Sequence, residues 1–210
     1  TKEGHLEQVD TSSFLTPGNK ILYEIYKDKD GKLWVSAFDV ESFIIDIRDY
    51  IVQKYPLPDL RNQLKANPAI NSLCKDEDGI FWFSQDRYGL CIYDSRKEKL
   101  KHYSQCQGTR NLPFGDVTNI ARSYNHNWIW ATSYGPTVFG LSQQNMEMKE
   151  DVRIELGNVT NNPGLITSLF EDPQNNLWIG TTTGLFVYRI MSATLESIPE
   201  VSGPVAGLTQ

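Results

Sequence analysis

Cysteine is scarce in these 210 residues: Cys74, Cys91 and Cys106 are the three present, an odd number without CxxC or metal-ligand spacing. That excludes a disulfide framework and a cysteine zinc site. Basic charge is also in short supply. Twenty Lys and Arg stand against 26 Asp and Glu, for a net charge of −6 and no basic run. Binders that track phosphates on nucleic acid or on an anionic membrane surface are therefore excluded as classes. No stretch approaches the roughly 18 apolar residues of a membrane span, so this segment is not expected to insert into a membrane. The opening TKEGHLEQVD carries neither a signal-peptide pattern nor an initiator Met, so the chain is expected to be a piece of a longer protein. Motifs for catalysis are missing as well: G-x-S-x-G and H-E-x-x-H do not occur, and no Cys sits in a nucleophile motif. The segment is expected to be no enzyme and to use no cofactor or metal.

What the chain has is 40% hydrophobic and 11% aromatic residues, enough to bury a core. It also has a repeat. Trp34, Trp82, Trp130 and Trp178 are spaced 48 residues apart, inside ILYEIYKDKDGKLWVSAF, AINSLCKDEDGIFWFSQD, VTNIARSYNHNWIWATSY and LITSLFEDPQNNLWIGTT. Ile25, Leu73, Ile120 and Leu169 lead in, and Leu33, Phe81, Ile129 and Leu177 precede each Trp. Every copy reads as four short strands. An apolar phrase runs into an Asp, Asn or Gly cluster (Asp30-Gly31, Asp78-Gly79, Asn125 to Asn127, Asn175-Asn176) with the turn chemistry of a tight hairpin. The Trp strand follows, then a third phrase such as GLCIYD (89–94) or GLFVYR (184–189), and a fourth such as LKHYSQ (100–105) or TLESIP (194–199). The repeats span approximately 21–56, 69–106, 117–156 and 165–199. A linker, PLPDLRNQLKANP (56–68), has Leu60 and Leu64 at the spacing of a brief helical turn.

Positions before, at and after each Trp are all apolar, so the Trp strand does not alternate as a strand with one wet face does. It must be covered on both sides. A four-stranded antiparallel meander repeated every 40 to 50 residues, each sheet sandwiched between two like sheets, is a β-propeller blade. The expected fold is all-β: about four such meanders forming an arc of a larger propeller, taken as seven-bladed, with the four Trp residues as structural core. Small residues two positions beyond each Trp (Ser36, Ser84, Thr132, Gly180) suit crowding near the hub. HLEQVD (5–10) is assigned to the end of a preceding blade, and GPVAGLTQ (203–210) to the opening strand of a following one. The D-x-D-G of Asp28 to Gly31 and of Asp76 to Gly79 resembles the start of a calcium loop, but no Glu completes it and the fourth copy has Pro173, Gln174, Asn175 and Asn176 instead. Turn geometry is the better account.

No Trp is followed by Asp as in WD40 repeats, no Gly-Gly pair occurs as in kelch repeats, and the Asp-Gly pairs are adjacent rather than separated as in the Asp-box of sialidases. LITSLFEDPQNNLWIGTTTGLFVYR (165–189) and AINSLCKDEDGIFWFSQDRYGLCIYD (69–94) resemble the two-component regulator propeller repeat: an apolar strand, D-x-x-G-x-L-W-I-G-T, then G-L and an aromatic-Asp close. SFIIDI (42–47) and PTVFGLS (136–142) lack the Gly-Leu start in the other two copies. The resemblance implies the extracytoplasmic, periplasmic sensor region of a membrane-bound hybrid two-component histidine kinase, often one that detects oligosaccharides. It implies a bacterial signal-transduction protein of the inner membrane, with the transmitter elsewhere. His5, His102 and His126 are not followed by the Glu of a phosphoacceptor helix, and no Gly-rich nucleotide loop occurs.

Meander topology puts the turns between strands one and two, and three and four, at one end of a blade. The second-to-third turns and the blade linkers fall at the other. The second-to-third turns, AFDVE (37–41), QDRYG (85–89), SYGP (133–136) and TTTG (181–184), vary between copies and offer Phe38, Asp39, Asp86, Arg87, Tyr88, Tyr134 and Thr182. Aromatic faces beside carboxylate, guanidinium and hydroxyl groups suit stacking and hydrogen bonding to a sugar, so these are the candidate ligand-binding residues for an oligosaccharide. The competing class is a protein-interaction or dimerisation propeller. An arc that does not close would expose apolar faces at its ends, so self-association is expected, alongside contact with the remaining blades of the parent chain.

Overall fold

The structure is a computed structural model that describes residues 22–27, 31–37, 43–46, 52–54, 70–76, 78–85, 89–94, 96–103, 116–125 and 128–208. Two compact units divide the chain, residues 1–69 and 70–210. The first holds one antiparallel sheet of β1 (Leu22–Lys27), β2 (Lys32–Ala37), β3 (Phe43–Asp46) and β4 (Val52–Lys54), paired in chain order. Trp34 lies on β2 opposite Tyr26 and Ile44 and is buried, as is Val35.

The second unit repeats that meander three times. Blade 2 is β5 (Ile70–Lys75), β6 (Phe81–Gln85), β7 (Gly89–Asp94) and β8 (Lys99–Tyr103). Blade 3 is β9 (Asn119–Arg122), β10 (Ile129–Thr132), β11 (Thr137–Gln144) and β12 (Glu147–Glu155), and blade 4 is β13 (Ile166–Glu171), β14 (Asn176–Thr181), β15 (Gly184–Arg189) and β16 (Thr194–Ser202). All three sheets pair in simple meander order, and β9 touches both β5 and β13, so the first strand of each blade is the inner one. Ser72 on β5 ties two inner strands together: its hydroxyl donates to the Ile120 carbonyl and accepts from the Ile120 amide, each at 3.1 Å.

The turn chemistry read from the sequence has a backbone basis. Gly31, Gly79 and Asn175 occupy equivalent turn positions with φ of 79°, 79° and 63°, the left-handed region that Gly and Asn enter at least cost. The register is equally regular. Trp82 faces Cys74 and Ile92 across its two neighbours, Trp130 faces Ala121 and Gly140, and Trp178 faces Phe170 and Val187.

Burial of the Trp strands follows from stacking. Trp82 is 1% exposed and Trp130 fully buried. Trp130 packs with Leu177, Ile179 and Phe186 of blade 4, so the indole of one blade meets the residues flanking the Trp of the next. Because side chains alternate across a strand, Trp178 points to the face of β14 opposite Leu177 and Ile179. Trp178 is therefore only partly buried, a correction to its expected place in the core, since no further sheet of this unit stacks on that face. The small residues near the inner edge are needed there: a Cβ on Gly180 would lie 2.4 Å from Ser168 Oγ and 2.8 Å from Val205 Cγ1.

Other boundaries differ from expectation. The fourth strand of blade 4 runs on to Ser202, and β11 and β12 reach eight and nine residues. Residues 203–208, assigned to the opening strand of a following blade, contain no strand. They run along blade 4 instead, with Gly203 N donating to Thr183 O and Val205 N to Thr181 O. The 5–10 strand and the Leu60 and Leu64 turn lie outside the described residues.

Candidate functional site

The meander segregates two kinds of turn, and hydrogen bonds register the segregation. At one end, Leu156 N donates to Pro136 O, Thr182 N to Leu165 O and Thr183 Oγ1 to Asn162 O, so second-to-third turns and blade linkers meet. At the other, Ile190 N donates to Asn175 O and Arg96 Nη2 to Asp78 O, which joins first-to-second turns with third-to-fourth turns.

Of the candidate ligand residues, Tyr134 and Thr182 are described; Phe38, Asp39, Asp86, Arg87 and Tyr88 lie outside the described residues. Tyr134 sits in the β10–β11 turn, 63% exposed. Thr182 occupies the equivalent β14–β15 turn of the next blade, so both belong to the linker end. Its hydroxyl oxygen accepts from the Leu165 amide at 3.0 Å, which fixes the rotamer and leaves the hydroxyl hydrogen to donate outward. Thr181, buried beneath it, shapes the turn by accepting from Thr183 N at 3.2 Å and Gly184 N at 3.1 Å. The left-handed Gly164 (φ 72°) permits the approach, since a Cβ there would fall 2.5 Å from Thr182 Oγ1. Val159 and Leu165 are exposed on this linker and add apolar surface to the same end.

The Asp at the head of the blade 2 and blade 4 hairpins has a role beyond forming the turn. Asp76 Oδ2 accepts the Trp82 indole Nε1 at 2.8 Å while Oδ1 accepts Ile80 N at 2.9 Å. Asp172 repeats the device: Oδ2 accepts Trp178 Nε1 at 2.9 Å, and Oδ1 accepts the amides of Gln174 and Asn176, both at 2.9 Å. These oxygens face protein donors, as a turn demands and a calcium loop does not. The two carboxyls titrate differently. Burial raises the Asp76 pKa, against the hydrogen bonds from Trp82 and Ile80. Burial pushes Asp172 the same way, but there the bonds from Asn176 and Trp178 prevail and hold its pKa below the ordinary value.

In blade 3 the position six before the Trp is Tyr124, which offers no carboxylate. Glu171 of blade 4 supplies one: Oε2 accepts Trp130 Nε1 at 2.6 Å and Oε1 accepts Asn125 N at 3.3 Å. The recurring Asp-x5-Trp spacing in KDEDGIFW and EDPQNNLW was the signal that could have revealed the clamp. Its transfer to a neighbouring blade had none.

The two component regulator propeller family matches residues 162–183, about one Trp hairpin. Among curated proteins no significant relative was found. Among solved structures, one extracellular domain, described as that of the hybrid two component system BT3049 from B. thetaiotaomicron, superposes with a TM-score of 0.65 at 22% identity, covering 90% of this chain and 25% of that one. A second, from the hybrid two component system BT4673 of the same organism, gives 0.63 at 20% identity, with the same 90% and 25% coverage. The β-propeller domain of Myceliophteria thermophila Cps50 (Swd1) gives 0.61 at 10% identity over 84% of this chain and 59% of that one. The chain thus spans about a quarter of the length of the two-component extracellular domains it matches. Among the described residues no helix is long and apolar enough to cross a membrane. Residues 162–183 match the two component regulator propeller family, and the chain has the β-propeller fold seen in the extracellular domains of hybrid two component systems.

Proposed function

We propose that the chain is part of the extracytoplasmic sensor of a membrane-bound two-component system, that it recognises an oligosaccharide at the linker end of its blades, and that a histidine kinase across the inner membrane receives the signal. The observation that carries the ligand reading is Tyr134, a residue 63% exposed on a turn held by the adjoining blade linker. An exposed aromatic ring on a rigid turn offers a stacking face for a sugar ring at little entropic cost. Thr182 on the next blade adds an oriented hydroxyl, and the neighbouring extracellular domains supply the context. In this reading the segment binds and transmits and performs no catalysis.

A thermal-shift screen of the 210-residue chain against a panel of oligosaccharides tests the proposal. A saturable rise in Tm with one sugar, abolished in Tyr134→Ala, supports it; a rise that survives Tyr134→Ala and Thr182→Ala contradicts the site. The second reading, a propeller that binds protein, is favoured by the exposure of Val159, Leu165 and Met191 and by the partly uncovered Trp178. It expects concentration-dependent self-association in light scattering and no response to any sugar.

A further inference from the structure

At the end of the blades opposite Tyr134 and Thr182, blades 2 and 3 enclose a cleft of about 390 Å³. It exists because β11 and β12 are longer than β7 and β8 of blade 2 and carry their hairpin turn across to that blade. Two contacts anchor the turn there. The Tyr103 hydroxyl donates to the Met146 carbonyl, and Lys101 pairs with Glu147. Within the turn, Gln143 Oε1 accepts from Met146 N at 3.0 Å, so the blade 3 wall of the cleft has a defined backbone.

The cleft has an apolar base and a mouth of mixed charge, where Arg96, Lys97 and Lys99 outnumber the carboxylates of Asp78 and Asp94. Ile80 and Met146 are buried lining residues from the two blades. Asp94, 1% exposed, accepts Arg96 N at 3.0 Å, with Arg96 Nε 3.6 Å and Lys97 Nζ 3.3 Å away. Burial alone would raise its pKa; the Lys97 and Arg96 N–H groups hold it below the ordinary value, so the carboxylate stays charged and fixes the β7–β8 turn. Arg96 Nη2 is committed to the Asp78 carbonyl at 2.6 Å. That leaves Lys99, exposed on the cleft wall, with no carboxylate partner among the described residues. Gln144 and Asn145, exposed on the blade 3 turn, line the same space with amide donors and acceptors. Three cations against two carboxylates give the lining a net charge of +1, in a chain of net charge −6.

We propose that this cleft is a second ligand site, independent of the linker-end face, and that it takes a sugar acid: a molecule of one or two ring units whose carboxylate meets Lys99 and whose hydroxyls meet the Gln144 and Asn145 amides. The volume fits such a ligand, the apolar base accommodates ring C–H groups, and a charge-assisted bond to Lys99 sets the polarity.

Isothermal titration of the 210-residue chain with D-glucuronate, sodium sulfate and D-glucose tests it. Glucuronate is expected to bind saturably and more tightly than sulfate, while glucose gives no heat. Lys99→Gln should weaken glucuronate at least about tenfold, Gln144→Ala should weaken it less, and both should melt as the wild type does, because both side chains are exposed. Tyr134→Ala should leave glucuronate binding unchanged, which separates this site from the linker-end one. Absence of glucuronate binding, binding no tighter than sulfate, equal binding of glucose, or binding undiminished in a folded Lys99→Gln protein would each overturn the assignment.

Discussion

Removing the Asp76 carboxylate is the sharpest test of how the blades are locked. Its two oxygens accept from Ile80 N and Trp82 Nε1, at 2.9 and 2.8 Å, in surroundings where Ile80 and Trp82 are almost wholly buried. Asp76→Ala leaves the backbone bonds of the turn, Asp76 N to Ile80 O and Gly79 N to Asp76 O, in place. Two buried donors lose their acceptor, at about 1–3 kcal/mol each. Relief from burying a carboxylate returns part of this, so the expected net loss is about 2–4 kcal/mol. Against the ~5–15 kcal/mol of a typical domain that is a large fraction. Urea unfolding at pH 7, followed by Trp fluorescence, measures it. The pH dependence adds a sign. Because burial raises the pKa of Asp76 in the fold, the folded chain takes up this proton before the unfolded chain does. Its contribution to stability therefore improves as pH falls through the folded value towards 3.8, and Asp76→Ala lacks that slope. A loss under about 1 kcal/mol at unchanged m-value would refute the clamp.

Asp172 should behave with the opposite sign: its pKa is lowered, so the stability it confers is complete above 3.8 and disappears as pH falls through the folded value. Unfolding curves of wild type and Asp172→Asn should converge in acid, and a difference that grows there would contradict this. Gly180→Ala forces a Cβ to within 2.4 Å of Ser168 Oγ and 2.8 Å of Val205 Cγ1, and is expected to cost about 1–3 kcal/mol in denaturant unfolding. Ser168→Gly in the same chain should recover part of it, and equal loss in the single and double variants would place the strain elsewhere. Cys74 and Cys91 are buried thiols, and burial pushes the Cys91 thiol well up. A Cys106→Ser chain should resist iodoacetamide when native and take two labels in denaturant; rapid native labelling would show the β5–β7 core open.

The repeat was legible because the hub and the stacked faces constrain every blade alike. Apolar residues flanking each Trp and an Asp, Asn or Gly at each hairpin recur, and β6, β10 and β14 share one register. What the sequence concealed was context beyond the blade. Trp178 carries the same flanking pattern as Trp82, yet its exposure depends on what stacks against β14. The Glu171 to Trp130 bond crosses between blades, so no spacing within one repeat announces it. Nor does the repeat pattern announce the length of the β11–β12 hairpin, which builds the cleft. Tyr134 and Thr182 were legible as variable turn residues, whereas the bond fixing Thr182 to the Leu165 amide depends on the linker folding back.

Hydrogen exchange at the indole N–H groups, read by NMR, bears most directly on the claim that successive sheets enclose the Trp strands. The Trp82 and Trp130 indole protons, buried and bonded to Asp76 and Glu171, should outlast that of Trp178 by orders of magnitude. Exchange of Trp82 and Trp130 as fast as in free tryptophan would contradict the stacked-blade architecture and the binding faces built on it.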